Sequence, residues 1–576
     1  MLRFLLLLVE VMVITVSSQA VSEDVELDNH FETVSLSPRS STRLWSRVSE
    51  DVKFLVFECH SRIHKVIMTE SLEPASKKSV NSTDPALVKL LDTVPVGPNS
   101  SANGVWVTNP HYNLTLKVLA RATSHSTGDP IPGWCGNAKE AVWPRAELTT
   151  DWTRDVIRLN FSKASASEHC WDPDSVTYKI YQRYVEDGWD EEDKQAKLFS
   201  TLKSFSEVTS IAKWGTEVNS LGHHPDRLVF ASYSPVGSVY AVVATATNGS
   251  AIYGLAHSYG CHIDSQTGTC PPTPATTLIQ VFGACSVFAG LTLALCGHKF
   301  FLISQTLFGL YAGVYTAFIL LSSFSDLHHQ LLFTLVIGCG CVGAVAVAAL
   351  WVFFGIPVLT VFIPTLEVGI ILASIILYLP GTNTISLTND LHYWLVFLCL
   401  VLAAPICLLA FTHKAHILSC VLVGTTATIL PIDLYLGTGL RYIFLNVVRR
   451  AASPQFQEAI LAPLLGTDDL ILVSCWLALA AVSLLCQLLV QRKRPPFPAS
   501  PYHQWRWRRE AAREMEHLDN ETEPLLSADH SEHRGEVLGV RPRPVVGFIE
   551  TPQRRFRSEE PSRKPRDIFI PTPPQN

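Results

Sequence analysis

The chain of 576 residues holds no His-Glu-x-x-His pair, no Gly-x-Ser-x-Gly elbow and no Gly-Lys-Ser/Thr phosphate loop. It also has no dinucleotide fingerprint in the strand-to-helix setting that motif needs. Metalloprotease, α/β-hydrolase, P-loop and Rossmann readings therefore have no residues to rest on. Histidines sufficient for a metal-dependent lipid hydrolase inside a membrane are also wanting: His298, His328, His329, His392 and His413 fall in loops or at the ends of apolar runs. G-protein-coupled receptor marks are missing as well. The third apolar run ends in Leu350-Trp351-Val352 rather than Asp-Arg-Tyr, the last has no Asn-Pro-x-x-Tyr, and the turns between runs are short. No N-glycosylation sequon falls between Thr276 and Val490. Nothing calls for a cofactor, a metal ion, a catalytic residue or a nucleic-acid partner.

What is present is apolar. Seven runs read as membrane spans: Thr276 to Cys296, Phe300 to Ser322, Leu331 to Trp351, Ile356 to Leu379, Leu391 to Phe411, Ala415 to Leu436 and Ile471 to Val490. Each is long enough to cross a hydrocarbon core of roughly 30 Å as a helix. Pro357 and Pro364 predict a kink in the fourth. Gly309 and Gly313 in the second, and Gly338, Gly340 and Gly343 in the third, allow close helix approach. Cys339 and Cys341 in the same region read as small packing residues.

Two acids stand within runs, Glu367 in the middle of the fourth and Asp433 near the outer end of the sixth. An intramembrane carboxyl is a functional candidate because burying it is costly. A lone acid with no partner at its depth is a poor relay, so Glu367 reads first as a neutral, hydrogen-bonded group and second as part of an ion or proton pathway.

Direction follows from the basic residues. Gly297-His298-Lys299, Thr412-His413-Lys414 and the collar Arg492-Lys493-Arg494 with Arg506, Arg508, Arg509 and Arg513 fall on one side, which the positive-inside rule makes cytoplasmic. Residues 1–20 read as a signal peptide, with Arg3, an apolar stretch from Phe4 to Val16 interrupted by Glu10, and the exit Ser18-Gln19-Ala20. An uncleaved anchor is the alternative. Five sequons, at Asn81, Asn99, Asn113, Asn160 and Asn248, lie in the region this signal would send outside.

Residues 21–275 read as a glycosylated, β-rich ectodomain, a sandwich. Its expected strands are Val52 to Cys59, Gly104 to Thr108, Leu114 to Ala120, Val156 to Phe161, Val176 to Tyr184, Arg227 to Tyr233 and Ser238 to Thr245. The stretch Glu191 to Ile211 has helical spacing. Five cysteines in an oxidising compartment imply two bridges and one spare thiol; Cys261 with Cys270 and Cys135 with Cys170 are the favoured pairs, leaving Cys59 buried and free. Cys59-His60 with His64, and His257 with Cys261 and His262, have metal-ligand residue types, but neither trio has further ligands nearby in sequence. The acidic run Glu186 to Asp193 lacks the spacing of a calcium loop.

Between the sixth and seventh runs, Leu440, Ile443, Val447 and Val448 alternate with Arg441, Arg449 and Arg450 at helical spacing. This predicts a short amphipathic helix on the outer membrane surface, either snorkelling its arginines to headgroups or capping the bundle. Residues 491–576 read as a disordered cytoplasmic tail, polar and Pro-rich. Trp505 and Trp507 sit among arginines that would hug an anionic leaflet. Glu521, Leu525 and Leu526 match an acidic dileucine signal for clathrin adaptors, and Arg554 to Ser558 a basophilic kinase site.

Several local sequences carry a resemblance: Asp129-Pro130-Ile131-Pro132-Gly133 with Cys135, Gly297-His298-Lys299-Phe300, Ile432-Asp433 with Tyr435, Tyr442-Ile443 with Leu445-Asn446-Val447, Arg450-Ala451, Arg494-Pro495-Pro496-Phe497-Pro498 and Pro501-Tyr502. In their order, most of the chain resembles the transmembrane 7 superfamily member 3 family. The resemblance implies a non-enzymatic, glycosylated membrane protein that promotes cell survival and damps stress in the secretory pathway. Its membrane block is similar to that of another small multispan family linked to Wnt signalling. Cys135, Cys170, Cys261 and Cys270 resemble the family's ectodomain cysteines, and Cys59 is an addition. The expected location is the plasma membrane, with endosome or lysosome as alternatives, and the expected partners are the lipid bilayer and proteins met through the ectodomain and tail. A channel or transporter using Glu367, and a ligand-binding receptor of another type, are the competing functions.

Overall fold

The computed structural model describes residues 24–49, 52–70, 79–90, 104–109, 113–126, 131–132, 146–151, 155–161, 164–165, 176–185, 190–221, 228–246, 249–264, 268, 270, 276–324, 329–379, 389–464, 466–492, 497–498 and 500–528. Eighteen strands come first: β1 (Asp24–Glu26), β2 (Glu32–Leu36), β3 (Ser41–Trp45), β4 (Val52–His60), β5 (Val66–Thr69), β6 (Ser79–Ser82), β7 (Ala86–Leu90), β8 (Gly104–Thr108), β9 (Leu116–Ser126), β10 (Ile131–Pro132), β11 (Ala146–Asp151), β12 (Val156–Phe161), β13 (Ala164–Ser165), β14 (Val176–Val185), β15 (Thr216–Leu221), β16 (Leu228–Ala231), β17 (Gly237–Ala246) and β18 (Gly249–Tyr259). Two helices, α1 (Glu191–Ser204) and α2 (Val208–Trp214), interrupt them.

The strands make two sandwiches rather than the single one expected. In the first, the sheet β1-β3-β8-β5-β6 faces the sheet β2-β9-β4-β7. Alternation along each strand sends Leu44, Leu55, Phe57, Val107 and Val118 into a common core, all with no exposed surface. The second is built on β15-β14-β17-β18 and β11-β12-β16. Here β17 is apolar on both sides, because one face meets β12 and β16 through Phe230, Tyr240 and Val242 while the other meets the helices through Leu198, Leu202, Phe205 and Val239. Helix α1 starts where the Asp190 carboxylate accepts the Asp193 amide at 2.8 Å, an N-cap reinforced by three acids in the first turn. The expected single helical stretch is two, broken at Phe205, whose amide closes the first on Leu202. One compositional reading cannot separate two domains of the same class, which is why the division was not visible beforehand.

Helices follow: α3 (Thr276–Cys296), α4 (Phe301–Phe324), α5 (His329–Phe354), α6 (Pro357–Tyr378), α7 (Asp390–Leu408), α8 (Thr412–Leu436), α9 (Tyr442–Ala452), α10 (Thr467–Gln491) and α11 (Pro501–Ala528). Among the described residues six stretches, not the expected seven, are long and apolar enough to cross a membrane. The difference lies in one of them, Asp390–Leu436, whose 47 residues merge the expected fifth and sixth runs. Inside it α7 and α8 meet through the 3-10 turn Leu409–Phe411 with no polar loop between them. The run doubles back at that turn, because both its ends reach α9: Asp390 pairs with Arg450 at 3.5 Å and Asp433 accepts the Arg441 amide at 3.0 Å.

Helix α6 is the most enclosed of the long apolar helices, with Val361, Pro364, Glu367, Val368 and Ile371 among its buried residues. Glycines set the close pairs. A Cβ on Gly309 of α4 would strike the Gly343 carbonyl of α5, and one on Gly313 would stand 3.0 Å from the Gly340 Cα, whereas Gly338 has open space around it. The tail also departs from expectation. Pro501–Ala528 is helical, so disorder does not begin at residue 491; its good helix formers outweigh its lack of an apolar face. Residues 529–576, with the Arg554 to Ser558 site, lie outside the described residues.

Candidate functional site

Polar chemistry concentrates at two seams, one between the sandwiches and one between the second sandwich and the helices. The first forms where β4 ends. Its last residue, His60, points Nδ1 at Asp84 Oδ1 (2.7 Å) from the turn between β6 and β7, and β18 of the second sandwich brings His257 Nδ1 to the same oxygen (2.6 Å). His257 Nε2 meets the Arg62 carbonyl at 3.2 Å, and its amide donates to Asp84 Oδ2 at 3.3 Å. With a carboxylate on one side and a carbonyl on the other, both His257 ring nitrogens face acceptors, an arrangement that favours the imidazolium. Burial alone would raise the Asp84 carboxyl, but the neighbouring His257 and His60 outweigh it and hold the group well below the ordinary carboxylate range. Burial would likewise lower His257, and Asp84 overcomes it and raises it. All three side chains are buried, and His60 Nε2 makes no hydrogen bond among the described residues.

Two arginines complete this seam. Arg62 reaches into the second sandwich, where Nη1 pairs with Glu191, Nε donates to the Tyr259 hydroxyl (3.2 Å) and Nη2 to the Gly268 carbonyl (3.2 Å). Gly268 lies in the small loop closed by the Cys261–Cys270 disulfide, the expected pair. Arg121, 1% exposed, donates to Glu58 at 2.6 Å and to the Ser206 carbonyl of the second sandwich at 2.7 Å, with its guanidinium 4.2 Å from the Phe31 ring. Cys59 beside them is buried and free, as expected. Burial first and Asp84 second push its thiol far up, which makes it unreactive.

At the second seam α9 is not spread on a membrane surface. It is wedged between the helices and the second sandwich, with Tyr442, Ile443, Val447 and Val448 buried. Its arginines find protein instead of headgroups: Arg441 and the Tyr442 hydroxyl both donate to the Ser234 carbonyl (2.8 and 2.6 Å), Arg449 donates to the Ser232 carbonyl (2.9 Å) and pairs with Asp155 (3.0 Å). The Tyr184 hydroxyl donates to the Ala462 carbonyl at 2.7 Å. Ile460 then joins the edge of β16 as a parallel bridge, exchanging bonds with Val229 (2.8 Å) and Ala231 (3.1 Å). One apolar cluster crosses the whole seam, from Val229 and Tyr233 through Ile443 and Phe456 to Tyr378 and Leu472.

Asp433 belongs here. It accepts the Leu440 amide (2.9 Å), the Arg441 amide and the Thr438 hydroxyl, tying the end of α8 to the turn that opens α9. Asp469 does the same from α10, accepting Gly439 (2.6 Å) and Gly466 (2.8 Å). Glu367 has no such partner. It is buried in α6 against the Ala312 backbone, and neither of its carboxyl oxygens makes a hydrogen bond among the described residues. At the far end of the bundle, His416 of α8 packs on His298 (Nδ1 to Nδ1, 3.0 Å) with Gln305 Nε2 3.1 Å away. His416 was overlooked in the sequence because it sits within an apolar run, and only the fold sets it against His298.

Of the remaining expected positions, Asn81, Asn113 and Asn160 are exposed. Asn99, Asn248, Cys135 and Cys170 lie outside the described residues. Glu521, Leu525 and Leu526 fall on α11, a helix rather than the extended segment a dileucine signal uses. Asp84 was missed altogether. Nothing near it in sequence marks it, and it gains meaning from two histidines 24 and 173 positions away.

Three family models match, in the order of the architecture. Residues 23–124 match the TM7SF3-like N-terminal immunoglobulin-like domain, residues 130–264 the TM7SF3-like second immunoglobulin-like domain, and residues 283–488 the TM7S3/TM198-like domain. Curated relatives named Transmembrane 7 superfamily member 3 are similar along most of the chain. The protein from Rattus norvegicus is 28% identical, covering 80% of this chain and 83% of the relative. Those from Mus musculus and Homo sapiens are 26% and 25% identical, with coverage of 80% of this chain in each case and 83% and 82% of the relatives.

Proposed function

Because the chain belongs to the TM7SF3-like family, with two immunoglobulin-like domains ahead of a helical membrane block, we propose that it is a non-enzymatic multi-pass membrane protein acting through protein partners to promote cell survival and damp secretory-pathway stress. The observation that carries the partner-driven part is the seam at α9. A ligand-facing module docked by Tyr442, Arg449 and Ile460 onto the helices is suited to passing a binding event on as a shift of packed elements. The survival and stress outcome rests on the family resemblance.

In this reading α7 and α8 each cross the bilayer, giving seven crossings, with the immunoglobulin-like domains lumenal or extracellular and α11 cytoplasmic. The basic residues at the far end of the bundle and the sequons in the N-terminal domains support that direction. The plasma membrane is the proposed destination, and the dileucine on α11 would bring clathrin adaptors into contact with the tail.

The test uses cells lacking the chain and rescued with wild type, with Glu367→Gln, or with a Tyr442→Ala/Arg449→Ala pair. Proximity labelling from the N-terminal domain and the tail is read beside survival under a glycosylation inhibitor. Wild type and Glu367→Gln should share partners and rescue, while the seam variant keeps its lumenal partners and loses rescue. Rescue that fails with Glu367→Gln while partners persist would overturn this reading in favour of transport.

A further inference from the structure

The triad His60, Asp84 and His257 stands apart from the seam at α9, at the junction of the two immunoglobulin-like domains. Its three donor atoms lie within 4.8 Å of one another, two from the first immunoglobulin-like domain and one from the second. We propose that these residues bind a divalent transition-metal ion of the zinc class, which staples the two domains together. Two imidazole nitrogens and one carboxylate oxygen are a donor set that such ions favour.

The surroundings supply what ligands need besides proximity. A metal-bound imidazole uses its other nitrogen to donate to a carbonyl or carboxylate, which fixes the ring. His257 already does this, with Nε2 on the Arg62 carbonyl at 3.2 Å. Asp84 presents Oδ1 to both rings while Oδ2 accepts the His257 amide (3.3 Å) and the Thr83 hydroxyl (3.2 Å). The His60 side chain is 1% exposed and turns Nδ1 to the site, while its Nε2 makes no hydrogen bond among the described residues. Metal–donor bonds of about 2.0 to 2.1 Å in a tetrahedral shell set neighbouring donors about 3.3 Å apart. From the 2.6 and 2.7 Å seen here, each ring therefore backs away from Asp84 by a little over half an ångström. A water or Asp84 Oδ2 takes the fourth place. The competing occupant of the same space is a proton, which holds the rings and carboxylate together as a buried ion pair.

The experiment takes the full chain in detergent, purified without chelator. Metal content is measured by plasma mass spectrometry, and the stripped protein is titrated with Zn2+ and with Co2+. About one zinc per chain, a four-coordinate Co2+ spectrum and a melting temperature that rises when Zn2+ is restored are the expected results. His257→Gln and Asp84→Asn should each abolish stoichiometric binding. If these variants do not fold, the wild-type titration decides alone. Wild type that carries no metal and melts at the same temperature with and without Zn2+ overturns the site and leaves the proton-held pair in its place.

Discussion

Replacing Asp433 by alanine isolates the bond that fastens the membrane block to its cap. The carboxylate has no exposed surface and accepts two backbone amides, Leu440 at 2.9 Å and Arg441 at 3.0 Å, besides the Thr438 hydroxyl. Alanine offers no acceptor, and the apolar cluster around Leu440 leaves little room for water to substitute. Each of the two orphaned amides costs about 1 to 3 kcal/mol, and Thr438 can turn elsewhere, so the loss is about 2 to 6 kcal/mol. At about 1.4 kcal/mol per factor of ten, this corresponds to a roughly 30- to 20,000-fold larger population of the open turn. Hydrogen exchange on the detergent-solubilised chain reads it directly. Peptides over residues 438–452 and over β16 should lose protection together, because Ile460 and Arg449 join them, while β2 to β9 keep theirs. Asp433→Asn retains one acceptor oxygen and should fall between alanine and wild type. Unchanged exchange at residues 438–452 in the alanine variant would refute the capping role; equal loss across the chain would mean that the whole fold, not the seam, depends on this residue.

Arg121→Ala should destabilise the N-terminal domains by about 3 to 5 kcal/mol in thermal unfolding, because it leaves Glu58 charged and buried. The pair Arg121→Met/Glu58→Leu should recover most of that loss. Gly309→Val should lower the yield of monodisperse protein by forcing α4 from α5, whereas Gly338→Val, with no atom within 4 Å of its Cβ, should purify like wild type. Asn81→Gln, Asn113→Gln and Asn160→Gln should each remove one glycosidase-sensitive step on a gel, and an unshifted band at any of them would show that the exposed sequon is not used.

Legibility in the sequence followed the range of the interactions. Strands such as Gly104–Thr108 and Val156–Phe161 stand where alternation put them, because one buried face is written into every second residue. Helix α9 was visible from its apolar spacing, but its surroundings were not: Arg441 and Arg449 look the same whether they face headgroups or the Ser234 and Ser232 carbonyls. The count of spans failed at Leu409–Phe411, where a turn without polar residues leaves α7 and α8 as one apolar stretch. The triad was least readable of all. His60 reads with Cys59 and His64, and His257 with Cys261 and His262, each a trio without further ligands nearby in sequence, and the aspartate that joins the two histidines is supplied by a turn that only tertiary structure brings close.

The bridge at Ile460 has a consequence for biogenesis. The edge of β16 is synthesised at Val229, yet the residue that covers it comes about 230 positions later, behind the six helices α3 to α8. At 5 to 20 residues per second, translation takes roughly 10 to 50 s to deliver it. For that interval the second immunoglobulin-like domain presents an unpaired edge, the kind of surface to which chaperones and stray strands attach. Completion of this domain thus reports that the helices following it have been made and packed, and a chain stalled before Ile460 stays recognisable by its open edge.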